Sequence, residues 1–293
     1  MPSLKLLKSL LPTSCFPRLR LHSKNTKSPP PPCTPSTTII LSHGAFNTPW
    51  HYNLYTHALQ KDSFRTLCPQ QSSSGPSPPP NSFESDIELL NETVRTELIA
   101  GRDVLLVCHS YGGIPGCEAL ADLDLPEKGV DGDGQRIGKV LGIVFVSAFV
   151  AEAGQSLVTS KMAGRASWVR VEGPLSHVTN PGPTLFNCVP NATLRQQFVD
   201  RLVPQASASF ITPTKHETWK DHPCYYIRCL HDQAMFPEEQ DYFIRRLQEG
   251  NSSAMVQELP SDHAPFASMP ERMAEVTGEI VGELRGGIVE RLR

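Results

Sequence analysis

Residues 104–113 read VLLVCHSYGG, a continuous apolar run that breaks into a histidine, a serine, a tyrosine and two glycines. Val104 to Val107 has the composition of a strand buried on both faces, as in a parallel sheet covered by helices. The paired glycines open a helix, predicted to run to about Asp122. That leaves His109-Ser110-Tyr111 to reverse the chain within a few residues. A serine at the apex of such a turn is held in a strained backbone conformation with its hydroxyl exposed, and small neighbours let strand and helix approach. The pattern is G-x-S-x-G, with Cys108 in place of the first glycine. A serine that merely caps the following helix would leave Gly112-Gly113 without a purpose.

Working outward, Thr37 to Leu41 is a β-branched strand candidate followed at once by His43-Gly44-Ala45-Phe46. The stretch to Gln60 reads as a loop and a short helix, and Phe64 to Leu67 as another strand. SSSGPSPPP, residues 72–80, reads only as loop. From Ser85 the period changes: Ile87, Leu90, Val94 and Leu98 share a helical face, Ser85 with Glu88 forms a capping-box pattern, and Gly101 ends the helix. Val140 to Val146 is a second buried strand, preceded by an acidic, glycine-rich surface insertion. After residues 151–220, which lose strand-like regularity, come strand Tyr225 to Leu230, helix Glu238 to Leu247, strand Ala254 to Leu259 and a helix from Pro270 through Leu284. The alternation predicts an α/β fold: a mostly parallel central sheet with flanking helices, and a small cap inserted after the strand near residues 140–146. The expected division is a head at 1–36, a core at 37–150 and 221–293, and a cap at 151–220.

The chain has 293 residues, 27 basic and 30 acidic, for a formal charge of -3. That balance offers no broad attraction to nucleic acid or an anionic membrane. No run of 18 apolar residues is present, so stable membrane insertion is not expected. The first acidic residue is Asp62, whereas Lys5, Lys8, Arg18, Arg20, Lys24 and Lys27 precede the proline run at Pro29. This basic head has two readings: a mitochondrial presequence, or a tail or start-site product on a cytoplasmic protein. The eight cysteines are expected to be reduced, several lying within apolar runs. His222, Cys224, Cys229 and His231 make a poor metal site, because 224 and 229 point to opposite faces of a strand. Asp131 to Asp133 resembles the opening of a calcium loop but lacks its glycine and its terminal glutamate.

A serine hydroxyl needs a base, and near neutral pH that means a histidine oriented by a carboxylate. Two loops downstream of Ser110 supply them in the order acid then base. Strand YYIRCL opens onto Asp232, and the strand ending at Leu259 opens onto His263. Glu152 is a rival acid because it too follows a strand; Asp262 adjoins the histidine awkwardly, and His109, His43 and His231 compete less well as bases. The oxyanion of an acyl-transfer intermediate needs two backbone N–H groups. Tyr111 provides one, and Ala45 the other, with Phe46 as second choice.

HGAF, CHSYGG, LHDQAMFPEEQ and SDHAPF, in this order, resemble the α/β-hydrolase fold superfamily. They are similar in particular to plant methyl-ester esterases, the related hydroxynitrile lyases, and fungal hydrolases. The resemblance runs from about residue 37 to the end. It implies a serine hydrolase acting on a small to medium hydrophobic ester or lactone, with no metal or organic cofactor. The lyases of the group carry threonine at the position of Gly44 and lysine at that of Ala264, so lyase activity is not expected. Epoxide hydrolases and haloalkane dehalogenases use aspartate where this chain has Ser110. The remaining alternative is a non-catalytic ligand-binding protein on the same scaffold. Trp168, Phe186, Phe198 and Trp219 in the cap region are candidates for pocket or core.

Overall fold

The period-two alternation of each buried strand decides which helical layer each side chain meets. In the computed structural model, which describes residues 37–125, 134, 136–160 and 167–291, the described residues form nine strands. They are β1 (Thr37–Ser42), β2 (Arg65–Leu67), β3 (Asp103–His109), β4 (Val140–Val146), β5 (Val169–Glu172), β6 (Leu175–Val178), β7 (Gln205–Ala206), β8 (Cys224–Cys229) and β9 (Met255–Leu259). Six make one sheet in the order β2-β1-β3-β4-β8-β9, parallel throughout. The other three form a small antiparallel sheet inserted between β4 and β8.

Along β3, Leu105 and Val107 face one way, into a cluster with Ile39, Leu41 and Val144 and with Tyr55, Met273 and Ile280 of helices Asn53–Lys61 and Pro270–Arg291. Val104, Leu106 and Cys108 face the other, against Leu90, Val94 and Leu98 of helix Ser82–Ile99 and Phe243 and Leu247 of helix Pro237–Gly250. All five are almost wholly buried, which is why the strand carries no polar alternation. Among the described residues no helix is long and apolar enough to cross a membrane.

Three local expectations are corrected. The helix expected from Ser85 begins at Ser82, immediately after the prolines, so Ser85 lies inside the first turn and its capping box does not form. The earlier start adds Phe83 to the buried stripe. The helix after the paired glycines ends at Glu118, short of Asp122. Its loose carbonyls at Ala119 and Ala121 are taken up by Asn91 Nδ2 at 2.9 and 3.2 Å, and Asp122 closes the turn at φ 51°. The final helix continues to Arg291.

Residues 71–75 are the largest surprise. They contain no regular strand, yet Gln71, Ser73 and Ser74 are buried. Ser74 bridges to Gln205, Ala206 N–H donates to Ser73 O (2.8 Å), and Gly75 N–H donates to Pro204 O (2.8 Å), so the segment lines the edge of the small sheet. The basic head and the calcium-like segment at Asp131 to Asp133 lie outside the described residues, as do Cys15 and Cys33. The six described cysteines are free thiols, and the described residues hold no cluster of three His, Cys, Asp or Glu able to bind a metal.

Candidate active site

The carboxyl ends of β3, β4, β8 and β9 meet at one edge of the sheet, where the turns that follow them converge. Ser110 occupies the turn after β3 with φ 52°, in the left-handed region that a non-glycine residue enters only when its surroundings enforce it. It is 8% exposed. Cys108, where the pattern has glycine, is accommodated by Gly116: a Cβ on Gly116 would lie 2.5 Å from the Cys108 sulfur. The departure from the motif is thus matched by a missing side chain one turn into the helix.

Asp232 follows β8 and is fully buried. Its Oδ1 accepts the N–H groups of Ala234 (2.7 Å) and Met235 (2.9 Å), and its Oδ2 accepts from His263 Nδ1 (2.7 Å). The same Oδ2 accepts a very short hydrogen bond from the Ser147 hydroxyl, which also lies 3.3 Å from His263 Nδ1. Ser147, Asp232 and His263 therefore form a connected serine–aspartate–histidine set. Gln240 holds the Asp232 loop against β8, donating to Cys229 O (3.0 Å) and Met235 O (2.9 Å) while accepting from Cys229 N–H (2.8 Å). Glu152, the rival acid, is at the surface, bonded to Gln155 Nε2 (2.9 Å) and 3.8 Å from Arg246.

The competing histidines are framework. His109 Nε2–H donates to the His263 carbonyl (2.8 Å), which leaves Nδ1 to accept from the Tyr52 hydroxyl (2.8 Å); that hydroxyl in turn accepts from Gly44 N–H (2.9 Å). The relay joins the turn after β1 to the backbone of His263. Burial, with His263 beside it, drives the His109 pKa well below the usual value and keeps the ring neutral. His43 is likewise lowered to about 4 by burial; its Nε2 accepts from Gln71 N–H (3.0 Å). His231 stands in the loop before Asp232, its N–H on Ser261 O (2.8 Å). Asp262 accepts from Cys188 N–H (2.8 Å), Ala264 N–H (3.2 Å) and the Ser268 hydroxyl (2.8 Å), pinning the His263 loop to the insertion. A Cβ on Gly44 would lie 2.5 Å from His109 Nδ1, so a threonine there would displace that ring.

Ala45, Phe46 and Tyr111 border the same space as Ser110 and His263. Phe46, at φ 67°, turns its N–H to Gln205 Oε1 (3.4 Å) and its carbonyl to Val203 N–H (2.9 Å). Among the described residues the Ala45 N–H has no hydrogen-bond partner. The Tyr111 hydroxyl donates to Asp86 Oδ2 (3.0 Å), and Asp86 also accepts from the Ser73 N–H (3.1 Å) and hydroxyl. Ser74 donates to Gln205 Oε1 (2.6 Å). Both walls beside Ser110 are thereby fastened to adjacent residues, Ser73 and Ser74.

The space in front of Ser110 is a cavity of about 280 Å³ walled by Phe149, Leu157, Trp168, Phe210 and Met235. A cleft of about 20 Å³ on its other side is bordered by Phe186, His263 and Phe266. Of the four aromatic candidates, Trp168 faces the cavity and Phe186 the cleft. Phe198 packs on Trp50 (ring centroids 5.2 Å apart), and Trp219 is buried with its Nε1 on Ala151 O (2.9 Å). The sequence reading missed Ser147, Gln240, Asp86 and Gln205. For Ser147 a signal existed: it directly follows a buried strand, the position that singled out Ser110.

A parallel sheet with this hydrogen-bonded set at its carboxyl edge, opening on an apolar cavity, is the architecture of a serine-dependent, esterase-like hydrolase. The chain belongs to the alpha/beta hydrolase family, whose model matches residues 39–276. It is 29% identical over 208 residues to a probable hydrolase of Phoma sp., covering 70% of this chain and 80% of that one. It is 28% identical over 255 residues to the alpha/beta hydrolase nvfD of Aspergillus novofumigatus, covering 84% and 96%. A carbendazim hydrolyzing esterase of Nocardioides sp. is 27% identical over 251 residues, 80% and 96% of the two chains. Among solved structures the fold is shared with a pyrethroid hydrolase from Sphingobium faniae (TM-score 0.60, 20% identity, 84% and 97% covered). It is shared equally with a methylesterase from Arabidopsis (TM-score 0.61, 18% identity, 84% and 99% covered).

Proposed function

We propose that the protein hydrolyses a small to medium apolar carboxylic ester or lactone through an acyl-enzyme formed on Ser110. The observation that carries this reading is the orientation of His263. Its Nδ1–H is committed to Asp232, so Nε2 is the nitrogen left to take a proton, and Ser110 and His263 line one cavity. Ser110 Oγ attacks the carbonyl carbon as its proton passes to Nε2; among the described residues no hydrogen bond joins these two side chains, and catalytic hydrogen bonds of this kind commonly close only in the substrate complex. The Ala45 and Tyr111 N–H groups receive the oxyanion. His263 returns the proton to the leaving alkoxide, then deprotonates the water that releases the acid. Ser147 is the serine of the hydrogen-bonded set, but its hydroxyl sits on the Nδ1 side, is fully buried and borders neither space in front of Ser110. The apolar walls, and relatives named as hydrolases and esterases, support an uncharged ester as substrate.

The test is a fluorophosphonate probe with peptide mapping. Label is expected on Ser110, abolished in Ser110→Ala and retained in Ser147→Ala. Label on Ser147, or none on folded protein, overturns the reading.

A further inference from the structure

The small antiparallel sheet has two unlike faces. Its outer face carries Arg170, Glu172 and His177, with Arg170 3.1 Å from Glu172 and His177 3.6 Å from the same carboxylate. Strand alternation and the register, Val169 opposite Val178 and Val171 opposite Ser176, put Val169, Val171, Val178 and Ser176 on the other face. Val169, Val171 and Ser176 line the cavity. Three valines and one serine occupy four equivalent places, so the pattern calls for an apolar residue where Ser176 stands.

Ser176 is 1% exposed, and its Oγ is 2.9 Å from the Oγ of Ser207, which follows β7 and also lines the cavity. Two hydroxyls carry two hydrogens, and the bond between them uses one. Among the described residues neither Oγ has another hydrogen-bond partner. One donor therefore remains without a protein acceptor on an otherwise apolar wall, Ser176 being buried and Ser207 half-buried. The other polar wall groups away from the reacting centre are engaged: the Tyr111 hydroxyl on Asp86, and Trp168 Nε1 on Ala234 O (3.2 Å).

We infer that Ser176 and Ser207 form a recognition site for an oxygen acceptor on the substrate, a ketone, ether or second ester carbonyl set apart from the scissile bond by an apolar spacer. The inference rests on the proposed function and narrows its substrate class from apolar esters to oxygen-bearing ones.

The experiment compares p-nitrophenyl octanoate with esters in which a ketone replaces successive methylenes of the chain, uncatalysed hydrolysis subtracted. For at least one ketone position kcat/KM is expected to exceed that of the plain ester about tenfold, the yield of one well-placed hydrogen bond. In Ser176→Ala/Ser207→Ala the ratio is expected to fall to about one, whatever the change in turnover of the plain ester. A variant damaged in folding would lower both esters together and leave the ratio intact. No ketone position preferred by wild type, or a preference surviving in the double variant, overturns the inference. Calorimetric binding of the matching alkyl and oxo amides to Ser110→Ala reads the same ratio without turnover, so failure of the Ser110 reading remains separable from failure of this one.

Discussion

Two serines bear on the Asp232–His263 pair: Ser147 is hydrogen-bonded to it on the Nδ1 side, and Ser110 shares a cavity wall with His263. Ser147 shares Asp232 Oδ2 with His263 Nδ1 and sits at φ 42°, a conformation held by its N–H bond to Ile227 O (3.1 Å) and the short bond to Asp232. Its hydroxyl adds one donor to a carboxylate already accepting from two backbone N–H groups. Ser147→Ala therefore removes one support among several, and kcat/KM is expected to fall by no more than about tenfold. Asp232→Asn acts on the ring itself: the amide would offer a donor to Nδ1 and favour the tautomer whose Nε2 is already protonated, so kcat should drop about 10⁴-fold. Steady-state kinetics of the two variants on one ester check the contrast. Comparable losses in both would place Ser147 in the proton path.

At the scale of elements, the segment at residues 71–75 ties together pieces distant in sequence. Ser73 bonds to Asp86 and through it to Tyr111, while Ser74 bonds to Gln205, which also accepts from Phe46 N–H. The donors expected at Ala45 and Tyr111 thus depend on the same short stretch for their positions. Gln205→Met keeps the shape and removes the acceptor. Its expected effect is a fall of about tenfold in kcat with KM within about twofold, below the 10²–10³ for loss of an oxyanion donor itself, and a matching loss of affinity for a boronic acid but not for the product acid. Equal losses for both inhibitors would reduce Gln205 to a packing role. None of this could be read from SSSGPSPPP, whose composition has no period and whose burial comes from an insertion more than a hundred residues away. Ser110, Asp232 and His263 stood out because each lies in a loop after a strand of the parallel sheet: β3 and β8 are nearly wholly buried, whereas β9, before His263, is half-exposed and keeps Gln257 and Glu258. The capping box at Ser85 misled because the prolines allow the helix to start a turn earlier, and a motif of four residues cannot sense that.

Across the whole molecule the two ends of the sheet are built differently. The carboxyl edge holds neutral histidines and buried carboxyls, Asp86 and Asp262, both pushed up by burial against the hydrogen bonds they accept. The amino edge holds charge. Glu97, its side chain only 2% exposed, accepts from Thr38 (2.7 Å), Arg65 (3.0 Å) and Arg102, and so joins helix Ser82–Ile99 to β1, β2 and the entry to β3. Burial alone would raise its pKa, but the hydrogen bonds from Arg102, Thr38 and Arg65 overcome that and hold it at about 2. A carboxyl depressed by folding contributes stability that is complete above its unfolded value, about 4.3, and is lost as pH falls through its folded value. Asp86 and Asp262 have the opposite sign: their raised values favour the folded state progressively as the medium acidifies. Glu97→Gln should therefore lower unfolding free energy near pH 7 by up to about 3 kcal/mol. The gap to wild type should shrink between about pH 5 and pH 2, while kcat at neutral pH stays within about twofold because the active end is untouched. Urea unfolding of both proteins across that range, beside ester turnover at pH 7, reads the two quantities separately. A gap independent of pH, or a loss of kcat without a loss of stability, would show that Glu97 acts on the site and not on the frame that carries it.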